Sequence, residues 1–140
     1  MVDALTREEI IAAARAQIGT KFRHQGRVPG LALDCAGLAA CVAGQLGVEY
    51  NDRPGYGRTP HRGLLQSMLD GQPCLVRVYD RQPGDILLMR FQKEPQHVAI
   101  CAGATVIHSY EAVGQVCEHD LDDEWIKRIV AVYRFVGVEA

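Results

Sequence analysis

Apolar residues change their spacing part-way along this chain of 140 residues. In the first half they recur at helical intervals. Thr6-Arg7-Glu8-Glu9 reads as a capping box, with Thr6 accepting from the first turn and Glu9 reaching back. Ile10, Ile11, Ala14 and Ile18 follow on one face, and Gly19 ends the predicted helix. Residues 20–33 contain Gly26, Pro29 and Gly30 and read as a loop. A second helix is predicted over Cys35 to Leu46, with Asp34 as its cap and Gly47 as its stop. No charged residue occurs between Asp34 and Glu49. A helix that is small and apolar all round is buried on most sides, so this one is expected at the centre of the domain. Residues 51–63 hold Pro54, Gly55, Gly57, Pro60 and Gly63 and read as a second loop. A short helix from Leu64 to Leu69 ends at Gly71.

The second half turns to strand patterns. Cys74 to Tyr79 alternates. Pro83-Gly84 turns into a run from Asp85 to Phe91. His97 to Ala102 and Thr105 to Tyr110 are short apolar runs joined by Gly103-Ala104, the pattern of a hairpin. Val113 to His119 reads as a further strand, and Ile129 to Phe135 as a last one rich in β-branched residues. Helices first and an antiparallel sheet second predict an α+β fold, with the sheet packed on the Cys35 helix.

The length suits one domain over residues 1–140, without repeats or long linkers. The formal charge of −2 gives no basic footprint for nucleic acid and no general attraction to anionic membranes. No stretch has the 18 or so apolar residues of a membrane span. The acidic start of the chain lacks the apolar core of a signal peptide, so synthesis in the cytoplasm is expected. Cys35, Cys41, Cys74, Cys101 and Cys117 are odd in number and contain no C-x-x-C, which argues against a disulfide framework or a zinc ribbon. Cys41, Cys74 and Cys117 read as packing residues. Cys101 lies four residues beyond His97 on one strand, about 13 Å away, too far to share a metal. No metal or other cofactor is expected.

Three residues could carry chemistry together. Cys35 opens a helix, where unpaired N–H groups and the helix dipole favour an anion and a lowered thiol pKa. The plainer reading is a packed cysteine beside a capping Asp34. His97 opens a strand that can face a helix terminus; the plainer reading is a satisfied, half-buried imidazole. A tight turn at Gly103-Ala104 would place His108 as an approximate cross-strand neighbour of His97. A thiol at a helix start, an imidazole and a group that orients it are the parts of nucleophilic thiol catalysis. His61 and His119 read as solvated. Tyr56 reads equally as a groove-lining residue or a surface turn aromatic. Glu118, Asp120, Asp122, Asp123 and Glu124 read as a solvated acidic edge.

Asp34-Cys35-Ala36-Gly37-Leu38 resembles the D-C-[SA]-G-L signature of the NlpC-like cell-wall peptidases, a papain-like group. Pro83-Gly84-Asp85-Ile86-Leu87-Leu88 resembles their P-G-D-[LI]-[LV] strand. His97-Val98-Ala99-Ile100, Gly103 and Ile107-His108 resemble their H-V-[GA]-I…G…[IV]-H segment. Ile18 to Arg27 is similar to the G-T-P-[YF]-x-x-x-G stretch before the nucleophile. The wording Arg23-His24-Gln25-Gly26 and the run Ala131 to Phe135 look most like the phage tail-associated branch. The resemblance covers roughly residues 8–136.

It implies Cys35 as nucleophile, His97 as general base and His108 as the orienting third member. It implies cleavage of an amide in peptidoglycan stem peptides, after a D-γ-glutamyl residue. The partners it implies are the stem peptide and phage tail-tip proteins, with action on the cell wall from a virion. The oxyanion would be met by the Cys35 backbone N–H and a second donor. Many relatives carry a tyrosine where this chain has Phe22, which cannot donate. His24 or Gln25 would then substitute, or the donor is absent. Lys21 stands where a proline is usual. Two other classes compete with this reading. One is a non-catalytic structural module of a tail tip. The other is a cytoplasmic amidase or acyltransferase using the same Cys–His pair. Metal or redox binding by the cysteines is disfavoured by their spacing.

Overall fold

The computed structural model describes residues 5–53, 55–57, 63–91 and 95–138. The loop positions Pro54, Pro60 and Glu94 and the histidine His61 lie outside the described residues. Helix α1 runs Arg7–Arg15, and the Thr6 side chain accepts from the Glu9 N–H at 3.1 Å as the sequence suggests. The helix stops short of Gly19. The Gly19 N–H leaves to bond the Val116 carbonyl at 3.0 Å, so the chain peels off toward the sheet. Ile18 consequently lies outside the buried stripe and is 46% exposed, while Ile10 and Ala14 are buried.

Residues 20–33 are not a plain loop. They form three two-residue strands, β1 (Lys21–Phe22), β2 (Arg27–Val28) and β3 (Ala32–Leu33). Two-residue pairings leave no period to read in a sequence, and Gly26, Pro29 and Gly30 give the segment the composition of a loop. Helices α2 (Cys35–Gln45) and α3 (Leu64–Asp70) follow as expected. Strands β4 (Leu75–Val78), β5 (Ile86–Arg90), β6 (Pro95–Cys101), β7 (Thr105–Tyr110) and β8 (Gln115–Asp120) come next. A short helix α4 (Asp123–Ile126) precedes β9 (Ile129–Phe135). The acidic segment that read as a solvated edge is therefore structural in part. Asp122 caps α4 by accepting from the Trp125 N–H, and Glu118 pairs with Arg15 at 2.8 Å.

The strands form one sheet in the order β2-β3-β1-β8-β7-β6-β5-β9-β4. Among the described residues the strands pair antiparallel except β1 with β3, so the sheet is mixed and the fold α+β. Both faces of its centre are apolar. Ile86, Leu88, Val98, Ile100, Ile107, Tyr133 and Phe135 join the main core with residues of α1, α2 and α3. Leu87, Met89, Ala99, Cys101 and Val106 form a smaller core on the opposite face with Leu121, and Trp125 of α4 packs against it.

Two features fix this arrangement. The Asp85 carboxylate is fully buried and accepts two hydrogen bonds from Arg134, at 2.9 and 2.8 Å, and one from the Gln82 N–H. It joins the entry of β5 to β9 and explains the Pro-Gly-Asp wording structurally. The second feature is the approach of α2 to the preceding segment. A Cβ on Gly37 would lie 2.2 Å from the Gly26 carbonyl oxygen, and one on Gly26 would lie 2.8 Å from the Ala32 and Leu33 backbone. Only glycine permits that contact. Gly37→Ala should therefore cost about 1–3 kcal/mol of stability through overpacking. Gly44→Ala, in the same helix with nothing within 4 Å of the new methyl, should instead gain about 0.5–1 kcal/mol. Urea unfolding of the two variants checks the opposite signs.

Candidate active site

Asp34 organises the site before any catalytic group is considered. Its side chain is buried, and it caps α2 by accepting from the Gly37 N–H at 2.7 Å. The same carboxylate accepts from Arg27 at 2.8 Å, from the Gln25 N–H at 2.9 Å, and from the Tyr56 hydroxyl in a short bond. Gln25 adopts a left-handed φ of 60° to make this turn. The next residue, Cys35, is thereby held at the first turn of α2.

Cys35 is half-buried and lines a cavity of about 450 Å³ with Phe22, His24, Tyr56, Gln96, His97 and Tyr110, among others. The thiol pKa is pushed up to about 12, first by burial and second by the Asp34 carboxylate. The backbone N–H groups of Val98 and Ala36 and the charge of Arg27 act the other way and do not prevail. This reverses the expectation of a helix-stabilised thiolate: loss of water outweighs the helix start. The resting group is a neutral thiol.

The structure brings His97 and His108 together as expected. His97 Nε2 and His108 Nδ1 are 2.6 Å apart. The observed register of β6 and β7 pairs Ile100 with Ile107 and Cys101 with Val106, which makes the two histidines diagonal rather than directly opposite. The contact does not end there. His108 Nε2 lies 2.8 Å from His119 Nε2, and His119 Nδ1 lies 2.9 Å from the Asp120 carbonyl oxygen. His119 is thus no solvated residue. It is reached through the β7–β8 pairing, which sets His119 opposite Val106 and Cys117 opposite His108.

This chain of contacts assigns the protons. A carbonyl only accepts, so His119 Nδ1 carries hydrogen and, in the neutral ring, Nε2 is bare. His108 Nε2 then donates and its Nδ1 is bare. His97 Nε2 donates in turn, leaving His97 Nδ1 with a free lone pair. Burial holds the His97 pKa well below its ordinary value, with His108 and then His119 adding to the effect. Burial, then His119, lowers His108 to about 4. Both rings are neutral at pH 7.

The residues expected to bind substrate divide. Phe22 and His24 line the cavity. Gln25 does not, because its side-chain amide donates to the Tyr56 carbonyl at 2.8 Å and its oxygen accepts from the Gly55 N–H. Tyr56 is buried rather than a surface turn residue, and it lines the cavity while bonded to Asp34. Sequence reading missed the aromatic cover of the histidines. The Trp125 ring meets His108 at 5.1 Å and His119 at 4.8 Å, and Phe91 meets His97 at 5.0 Å. It also missed that His108, Cys117 and His119 place one donor atom each within 4.8 Å of the others. Cys117 sits in this group, while Cys41 packs in the main core and Cys74 against it. Strand pairing, not linear spacing, creates this group.

The NlpC/P60 family model matches residues 19–134. This chain belongs to the NlpC/P60 family. Solved NlpC/P60 structures share its papain-like fold. A family protein from Bacillus cereus superposes with a TM-score of 0.72 at 19% identity, over 96% of this chain and 42% of that one. The NlpC/p60 domain of the peptidoglycan hydrolase SagA gives 0.63 at 22% identity, over 91% of this chain and 97% of that one. The peptidoglycan hydrolase RipB from Mycobacterium tuberculosis gives 0.63 at 16%, over 93% and 64%. This NlpC/P60 chain spans about two fifths of the length of the Bacillus cereus protein and of a Staphylococcus aureus lipoprotein-like relative. A search of curated proteins gives no match. Among the described residues, no helix is long and apolar enough to cross a membrane.

A raised thiol pKa has a measurable sign in this NlpC/P60 site. Native Cys35 should react with iodoacetamide more slowly at pH 7.5 than the same residue in the urea-unfolded chain. Its rate should still climb at pH 10, where a free thiol of pKa about 8.5 has levelled off. Peptide mass spectrometry of the alkylated protein reads this. A plateau below pH 7 would mean a preformed thiolate–imidazolium pair.

Proposed function

We propose that the chain is a thiol hydrolase that cleaves an amide in the peptide stems of peptidoglycan. The observation that carries this reading is Cys35, at the start of α2, sharing one cavity with His97, whose Nδ1 is left bare by its partners. Family membership and the peptidoglycan hydrolases among the solved neighbours supply the substrate class.

In this mechanism the Cys35 proton passes to His97 Nδ1 as the sulfur attacks the carbonyl carbon. Because both groups start neutral, charge separates only in the course of attack. His97 then carries its second proton while its Nε2–H still donates to His108. The imidazolium gives that proton to the leaving amine, the C–N bond breaks, and a thioester remains on Cys35. Water attacks the thioester, giving a proton back through His97, and releases the acid and the free thiol. The Cys35 backbone N–H is one donor to the oxyanion. The Gln25 amide and His24 Nε2 both donate to the Tyr56 carbonyl, at 2.8 and 3.1 Å, so neither is free as the second donor and the backbone N–H carries this role alone. Cleavage after D-γ-glutamyl, and delivery to the wall by a phage tail, complete the proposal. They rest on the sequence likeness of the nucleophile and histidine segments and of Arg23–Gly26 and Ala131–Phe135.

The test is release of new amino groups from purified peptidoglycan. Wild type should release them, and Cys35→Ala should not, at an unchanged melting temperature. His97→Ala should lose at least about a hundred-fold in rate, the usual worth of a positioned base. His108→Gln should be milder than His108→Ala, because an amide can accept from His97 through its oxygen and donate to His119 through its nitrogen. Activity surviving in Cys35→Ala, or equal losses in the two His108 variants, would overturn the corresponding role.

A further inference from the structure

The geometry points to a zinc site made by His108 Nε2, Cys117 Sγ and His119 Nε2, whose occupancy switches off the catalytic pair. The binding half stands alone; the switching half rests on the function proposed above.

Three observations support the site. One donor atom from each of the three residues already lies within 4.8 Å of the others, on one face of the paired strands β7 and β8. Two imidazoles and a thiolate are a donor set suited to zinc, and three protein ligands leave a fourth position open. His119 is also oriented as a ligand. Its far nitrogen, Nδ1, is tied to the Asp120 carbonyl at 2.9 Å, the arrangement that fixes a metal-binding imidazole and frees Nε2 to coordinate. The two Nε2 atoms stand 2.8 Å apart in the hydrogen bond. Ligands about 2.0–2.1 Å from a tetrahedral zinc sit about 3.3 Å apart, so the rings need to part by only about 0.5 Å. Cys117 and His119 are half-buried, the latter against Trp125, which leaves them within reach of solvent.

Coordination and catalysis need opposite tautomers. Without metal, His108 Nε2 carries hydrogen and donates to His119. A metal on that nitrogen requires it bare. The ring then holds its hydrogen on Nδ1, which must donate to His97 Nε2. His97 in turn must hold its hydrogen on Nδ1, the atom that otherwise faces the work as a base. The three rings keep the same number of protons throughout. The one proton released to solvent is that of the Cys117 thiol. No oxidation is involved, so removing the metal restores the first arrangement.

The binding arm uses the Cys35→Ala chain, so that Cys35 cannot compete for metal. Zinc is titrated against a chromophoric chelator, and cobalt(II) serves as the spectroscopic probe. We expect one zinc per chain and a thiolate-to-cobalt charge-transfer band. Adding Cys117→Ser should abolish the band and weaken zinc at least about ten-fold, with the melting temperature of the metal-free protein recorded as the folding control. His119→Gln should weaken zinc comparably. No binding, or a band that survives Cys117→Ser, overturns the site.

The inhibition arm follows peptidoglycan hydrolysis, each protein normalised to its own metal-free rate. Wild type should lose most of its rate near one equivalent of zinc and regain it with EDTA, whereas Cys117→Ser should need at least about ten-fold more zinc. Equal inhibition of the two would place the metal on Cys35 and overturn the switch. Metal-free wild type that hydrolyses nothing would count against the function proposed above, and the binding arm would still decide the site.

Discussion

The buried carboxylate of Asp34 is the contact on which the site depends. It gathers donors from the turn at Gln25, the guanidinium of Arg27, the first turn of α2 and the hydroxyl of Tyr56. An ion taken out of water costs several kcal/mol unless its lone pairs are met, so these segments are held to one point together. The cavity floor, the helix start and the loop carrying Tyr56 cannot shift independently. The same charge opposes ionisation of its neighbour Cys35. Position is gained at the expense of thiol acidity, and the neutral imidazole of His97 lines the same cavity.

The His97 ring takes its direction from far away. The polarity of the whole histidine row is set at its distant end by one backbone carbonyl, which can accept and cannot donate. Trp125, Phe91 and Tyr110 pack on the buried rings of His97 and His108 and keep water from offering those two another partner. Helix α4, four residues long and remote in sequence from Cys35, thereby helps wall in the histidine row.

Much of this was legible in the sequence where a local rule applied. Asp34, α2 and Gly47 announced themselves through capping chemistry and the absence of charge. Strands β7 and β9 fell where β-branched and apolar runs placed them. Cys35, His97 and His108 could be grouped because a hairpin relates two of them at short range. What stayed hidden was non-local. His119 and Cys117 join His108 only through the register of β7 on β8, and no spacing along the chain encodes that pairing. The burial that raises the Cys35 pKa is likewise a property of the packed state. Gln25 looked like a free amide, yet the fold spends both ends of it on the loop at Gly55 and Tyr56.

The sheet ends on β2 and β4, strands of two and four residues. An edge strand is a template for another chain's backbone, and its danger grows with its length. Here a second sheet would find few unpaired amides to zip onto at either side. Copies crowded together at high local concentration are thereby denied the simplest route to fibrillar aggregation. Growth of the sheet beyond its nine strands stalls for want of a ladder.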